Sequence, residues 1–136
     1  MIDELWNAKN IADKYLVLFL LMNEWVKVKQ KNLSISGALK DREIYNVGIY
    51  GMSYVGQRLF DELERTDIKI GCCIDRNAGG VYKKRKIVSI EDISHNLDAV
   101  IVTPIFYYEE IKSTLKGKCE KILSLEEIIY GLTVKH

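Results

Sequence analysis

Val47, Ile49 and Tyr50 form a short β-rich run that stops at Gly51, and Val55, Leu59, Phe60 and Leu63 then recur at helical spacing to about Arg65. A strand that turns through glycine straight into a helix is the start of a crossover to a parallel neighbour, and the rest of the chain supplies such neighbours. Ile68 to Ile74 is a second strand, apolar enough at its end to be covered on both faces, and Asp75 closes it. Arg76 to Gly80 reads as a loop, followed by the basic stretch Lys83 to Lys86, a short strand Ile87–Val88 and a small helix capped by Ser89. Ala99 to Val102 is a buried strand ending at Thr103-Pro104. A helix from about Phe106 to Leu115 stops at Gly117, a strand covers Lys121 to Leu123, and a last helix from Leu125 to Tyr130 stops at Gly131.

Strands alternating with helices predict an α/β domain over residues 46–136: a doubly wound, mainly parallel, five-stranded, Rossmann-like sheet. The first strand is expected at its centre, with Ala99 to Val102 beside it across the switch point. The segments Gly51–Gly56 and Thr103–Tyr108 then face one crevice, which is where a ligand belongs.

Residues 1–45 form an N-terminal helical extension in this reading. From Ala12 to about Lys31 there is no Gly or Pro, which favours one long helix, and Ser34 or Ser36 is placed to cap a short one running to about Arg42. Apolar residues nearly encircle the first helix from Tyr15 to Met22. The expectation is that it packs on the domain body and on a second copy, forming a homodimer; the alternatives are a strand-like core segment or a helix buried wholly within the monomer.

A chain of 136 residues with 48% hydrophobic and 29% charged residues fits one folded domain. Its 20 basic and 19 acidic side chains create no global field for nucleic acid or an anionic membrane. The apolar run Tyr15 to Met22 is too short for a signal peptide or a membrane span, and the start is charged at Asp3 and Glu4 with no basic n-region, so a cytoplasmic protein is expected. Cys72, Cys73 and Cys119 make no CxxC pattern, and no metal site is expected.

Gly51-Met52-Ser53-Tyr54-Val55-Gly56 is the dinucleotide glycine fingerprint with Ser53 in place of the second glycine, and Asp75 follows 19 residues beyond Gly56 at the end of the next strand. Gly51 permits the tight turn, Gly56 lets helix and strand approach, and free amides at the helix N-terminus attract phosphate. The Cβ of Ser53 pushes a pyrophosphate outward, while its hydroxyl offers a donor in exchange. Asp75 is placed to accept from ribose hydroxyls or to serve as a loop cap. Arg76 suits a 2′-phosphate, although the adjacent Asp75 favours an unphosphorylated ribose. Thr103 and Pro104 border the crevice, with Thr103 able to bond a ribose or phosphate; Tyr54, Phe106, Tyr107 and Tyr108 either stack on a base or pack the core.

No complete acid–base or nucleophile set accompanies this turn. Tyr108 and Lys112 have the Tyr-x-x-x-Lys spacing of short-chain dehydrogenases and share one helix face, but lie only 57 residues beyond Gly51 with no serine suitably upstream. Tyr82 and Lys86 repeat the spacing in a basic loop. His95, near a short polar helix, and His136, the last residue, read as surface residues.

The segments Ile49 to Gly56, Cys73 to Asn77, Ile87 to Ile93 and Asp98 to Thr103 together resemble the Rossmann-like nucleotide-binding domains of bacterial polysaccharide-biosynthesis enzymes. That family includes sugar acetyltransferase N-terminal domains, dehydratase- and epimerase-associated domains, and sugar methyltransferase C-terminal domains. The resemblance spans about Asn46 to Gly131. It implies a phosphate site at Gly51, Ser53 and Gly56 and a nucleoside contact at Asp75, but the catalytic domain fused to such modules has no counterpart here. The expectation is a module that binds NAD(P) or a nucleotide-sugar in sugar metabolism. The rivals are a small NAD(P)-dependent oxidoreductase or epimerase completed across a dimer by Tyr108 and Lys112, and a protein-interaction module with an empty crevice.

Overall fold

Side chains of successive residues on a strand enter opposite faces of a sheet, and along the central strand Val47 and Ile49 enter one core and Tyr50 another. The computed structural model describes residues 2–135, with side chains for residues 9–134; His136 lies outside them. Strand β1 (Asn46–Tyr50) pairs in parallel with β2 (Lys69–Ile74) on one side and with the fully buried β5 (Ala99–Val102) on the other. Beyond them lie β4 (Arg85–Val88) and β6 (Ile122–Ser124), also parallel, and β3 (Val81–Tyr82) adds to β4 antiparallel. The order is β3-β4-β2-β1-β5-β6, a mixed α/β sheet with strand order reversing between β1 and β5.

The sheet thus has six strands rather than five. Lys83 and Lys84 are exposed and form the turn of a hairpin between β3 and β4, with left-handed backbone (φ +46 and +69), as a two-residue hairpin connection requires. The Lys83 ammonium pairs with Asp61 at 2.9 Å and Glu64 at 2.6 Å, and the Arg85 guanidinium donates to the Ile70 carbonyl at 2.6 Å. These charges fasten the hairpin to β2 and to α3 (Tyr54–Leu63), where Tyr82 also meets Phe60 edge-on.

Val47, Ile49, Ala99 and Ile101 face a core filled by Leu59 and Leu63 of α3 and by Ile128 and Ile129 of α5 (Leu125–Lys135). Tyr50, Cys72, Ile74, Val100 and Val102 face the other side, against Leu115 of α4 (Tyr108–Leu115) and Ile93. Helices thus cover both faces. α5 continues through Gly131, which sits inside the helix instead of ending it.

The first helix, α1 (Ile2–Gln30), begins ten residues before Ala12, since no Gly or Pro interrupts residues 1–30. Ser34 is the cap of α2 (Ile35–Asp41), accepting from the Gly37 amide at 3.0 Å, whereas Ser36 is buried. Leu21, Trp25 and Val28 of α1 and Ile35 and Leu39 of α2 join the same core as β1 and β5. Glu62 binds these pieces together, accepting from the Trp25 indole at 3.0 Å and the Ile35 amide at 3.3 Å. Among the described residues no helix is long and apolar enough to cross a membrane.

Candidate functional site

A parallel strand delivers its C-terminal residue and the following turn to one edge of the sheet, so the loops after β1, β2 and β5 meet there. They enclose a cleft of about 730 Å³. Tyr50, Gly51 and Ser53 line it from the end of β1 and its turn, Asp75, Arg76 and Asn77 from the loop after β2, and Pro104 and Tyr107 from the loop after β5. Glu110, Ile111 and Thr114 of α4 and Ile90 complete it.

Gly51 has φ +94, and a Cβ there would lie 2.5 Å from the Thr103 hydroxyl and 2.6 Å from Pro104 Cδ. Gly56 is more restricted still: its Cβ would stand 1.8 Å from the Gly51 carbonyl oxygen. Both glycines are therefore required by close approach, the second seating α3 on the turn. Thr103 is buried and does not reach the cleft; its hydroxyl lies 2.9 Å from the Tyr50 carbonyl and 2.8 Å from that of Gly51, tying the ends of β1 and β5 together.

Asp75 has a definite task in the turn. One carboxylate oxygen accepts from the Met52 amide at 2.7 Å and the other from the Asn77 amide at 3.0 Å. A turn amide expected to attract phosphate is thus held by the protein's own carboxylate, which still lines the cleft with its remaining lone pairs. Ser53 stands at the N-cap of α3 with extended backbone and no capping bond from its side chain, and it faces the cleft. Arg76 is exposed at the rim.

The other residues of the turn point elsewhere. Met52 is buried in the core, Val55 packs against that core, and Tyr54 is 86% exposed and outside the cleft, so none of their side chains forms part of it. Of the four crevice aromatics only Tyr107 lines it; Phe106 and Tyr107 lie beneath the Lys14 ammonium, 5.7 and 5.9 Å from their ring centres.

Tyr108 and Lys112 are not arranged as a catalytic pair. The Tyr108 hydroxyl donates to the Ile122 carbonyl at 3.1 Å, and burial, with Glu127 and Glu109 nearby, pushes its pKa up where such catalysis needs it lowered. Tyr108→Phe should cost about 1 kcal/mol of stability and leave ligand binding in the cleft unchanged, as denaturation and titration of the variant would show. His95 is exposed at the opposite end of the sheet, before β5. Cys72 and Cys73 are buried, and burial raises the Cys73 thiol.

Tyr50 went unmarked in the sequence as a site residue. It is the last residue of β1, on the α4 side of the sheet, 6% exposed yet lining the cleft. Burial chiefly, then the Asp75 charge, raises its pKa, with Arg76 opposing. Period-two alternation along β1 carries that signal. The α4 wall went unmarked as well, although 107, 110, 111 and 114 share a helical face.

Residues 43–123 match the model of the family described as C2185-like, N-terminal. The chain belongs to that family. The match runs from just before β1 into β6, so every residue lining the cleft falls inside the C2185-like segment, while α1, α2 and α5 lie outside it. No curated protein and no solved structure matches the chain.

Proposed function

We propose that this C2185-like protein is a Rossmann-like nucleotide-binding module, which takes NAD(P) or a nucleotide-sugar in the cleft. The phosphates lie over the Gly51–Gly56 turn beside Ser53, and a ribose meets the free lone pairs of Asp75. The module binds rather than catalyses and serves bacterial polysaccharide or sugar-nucleotide metabolism in the cytoplasm. One observation carries the reading: a close-packed glycine turn and a carboxylate at the neighbouring strand end line one cleft at the point where strand order reverses. The cleft's size suits a small molecule, and Arg76 at its rim supplies positive charge. The bond from the Met52 amide to Asp75 supports a second reading, in which the turn is satisfied internally and the crevice stays empty.

Thermal shift with NAD, NADH, NADP, NADPH and UDP-, dTDP- and GDP-sugars separates the two. A ligand at about 100 times its dissociation constant adds roughly 2.7 kcal/mol, a rise of several degrees. Ser53→Asp, which sets a negative charge where phosphate sits, should weaken that ligand at least about tenfold, or ~1.4 kcal/mol, without lowering the ligand-free melting temperature, since Asp is favoured at a helix N-cap. No shift with any nucleotide, or unchanged affinity in Ser53→Asp, would leave the second reading standing.

A further inference from the structure

Tyr50 ends β1 with a hydroxyl that the protein itself does not use. The residue is 6% exposed and belongs to the apolar cluster on the α4 side of the sheet, with Ile74, Val102 and Leu115. Its backbone carbonyl accepts from Thr103, but its hydroxyl has no hydrogen-bond partner among the described residues. Tyr82 and Tyr108, by contrast, spend theirs on Asp61 and on the Ile122 carbonyl. Among the described residues, Asn46 Oδ1 is the only partnerless side-chain polar atom wholly cut off from solvent. The Tyr50 hydroxyl is therefore not sealed in, and it opens on the cleft that the residue lines. A buried tyrosine hydroxyl normally finds a partner, so one left open at a cleft marks a place for a ligand atom. We propose that Tyr50 binds the base of the nucleotide, its hydroxyl donating to an uncharged oxygen or nitrogen of that base.

Charge and polarity select that part of the ligand. Asp75 and Glu110 line the cleft with negative charge, against Arg76 alone. The Asp75 charge acts on Tyr50 itself: burial first, and then that charge, push the hydroxyl's pKa up, with Arg76 opposing. The hydroxyl therefore stays protonated at neutral pH and can donate, while a phosphate set against it would meet the same repulsion. Ile90 and Ile111, half-buried on the cluster that holds Tyr50, also line the cleft. Apolar surface with a single polar point suits a flat heteroaromatic ring better than a bare sugar, whose hydroxyls would face aliphatic carbon. With the phosphates at the Gly51–Gly56 turn and the ribose at Asp75, the base is the part of a nucleotide left to fill the α4 side.

The inference rests on the nucleotide reading of the cleft, and calorimetric titration of the full chain with UDP, dTDP, ADP, GDP and ribose 5-phosphate tells its failure from the failure of that reading. At least one diphosphate should bind the wild type, and Tyr50→Phe should weaken it about three- to tenfold while ribose 5-phosphate binds no worse. The ligand-free melting temperature of Tyr50→Phe should not fall, because the variant loses no internal bond. Equal affinity of wild type and Tyr50→Phe for the diphosphate, or an equal loss for ribose 5-phosphate, would overturn the base contact and leave the nucleotide reading intact. A lowered melting temperature would overturn it too, by showing that the hydroxyl has a partner inside the protein. If none of the four diphosphates binds, both the base contact and the nucleotide reading fall.

Discussion

Gly56→Ala should lose more than about 4 kcal/mol of stability, enough to lower the melting temperature by more than about 10 °C. The reason is local. The added Cβ would occupy a point 1.8 Å from the Gly51 carbonyl oxygen and 2.8 Å from its carbonyl carbon, backbone that cannot swing aside like a side chain. Either α3 lifts from the sheet or the turn is rebuilt. Lifting α3 would uncover Leu59, Phe60 and Leu63, all buried, and loosen the Glu62 bonds that hold α1 and α2. Rebuilding the turn would break the contact of Thr103 with the Gly51 carbonyl. A domain of this kind has a total stability of about 5–15 kcal/mol, so either route approaches unfolding. Gly131→Ala is the control, because a Cβ at that helical position meets nothing within 4 Å. It should gain about 0.5–1 kcal/mol from helix propensity alone. Urea denaturation of the two variants would measure both effects, and a Gly56→Ala protein within 1 kcal/mol of wild type would mean that α3 is not seated on this turn.

The strands and helices of the sheet were legible because each rested on a pattern with a physical period. β1, β2, β5 and the helix after Gly51 lie where apolar spacing placed them, and β1 pairs with β5 as the crossover rule requires. The misses share a cause: a tertiary partner outweighed a local signal. Lys83 looks like any lysine of a basic loop until Asp61 of α3 and Glu64 at its end are brought opposite it. Gly131 looks like a stop, but α5 already packs on α1 and continues past it. At the site, Gly51 and Gly56 were readable because their spacing encodes a close approach. Thr103 was not, because its hydroxyl's acceptors are main-chain carbonyls that lie 53 and 52 residues earlier in the sequence. Asp75 was visible as a residue at the right strand end, while its bond to the Met52 amide depends on how tightly the turn closes.

That bond makes Asp75 the residue at which stability and binding separate. Asp75→Ala should cost about 2–3 kcal/mol, since a hydrogen bond to a charged acceptor contributes roughly 1.5–3 kcal/mol and the Met52 amide would be left without its acceptor in a part-buried turn. Asp75→Asn keeps an oxygen that can accept from Met52 but turns an NH₂ group toward the Asn77 amide, so about half of that loss is expected. The two variants therefore order stability as wild type, Asn, Ala. Ribose binding follows a different order. A ribose hydroxyl donates to the carboxylate's remaining lone pairs, and Asn has fewer acceptors and no charge, so affinity for a nucleotide should fall by about tenfold or more, ~1.4 kcal/mol, already in Asp75→Asn. Urea denaturation gives the first order and calorimetric titration of the nucleotide found by thermal shift gives the second. If Asp75→Asn loses stability and keeps full affinity, the carboxylate only closes the turn, and whatever the cleft holds meets Tyr50, Ser53 and Arg76 instead.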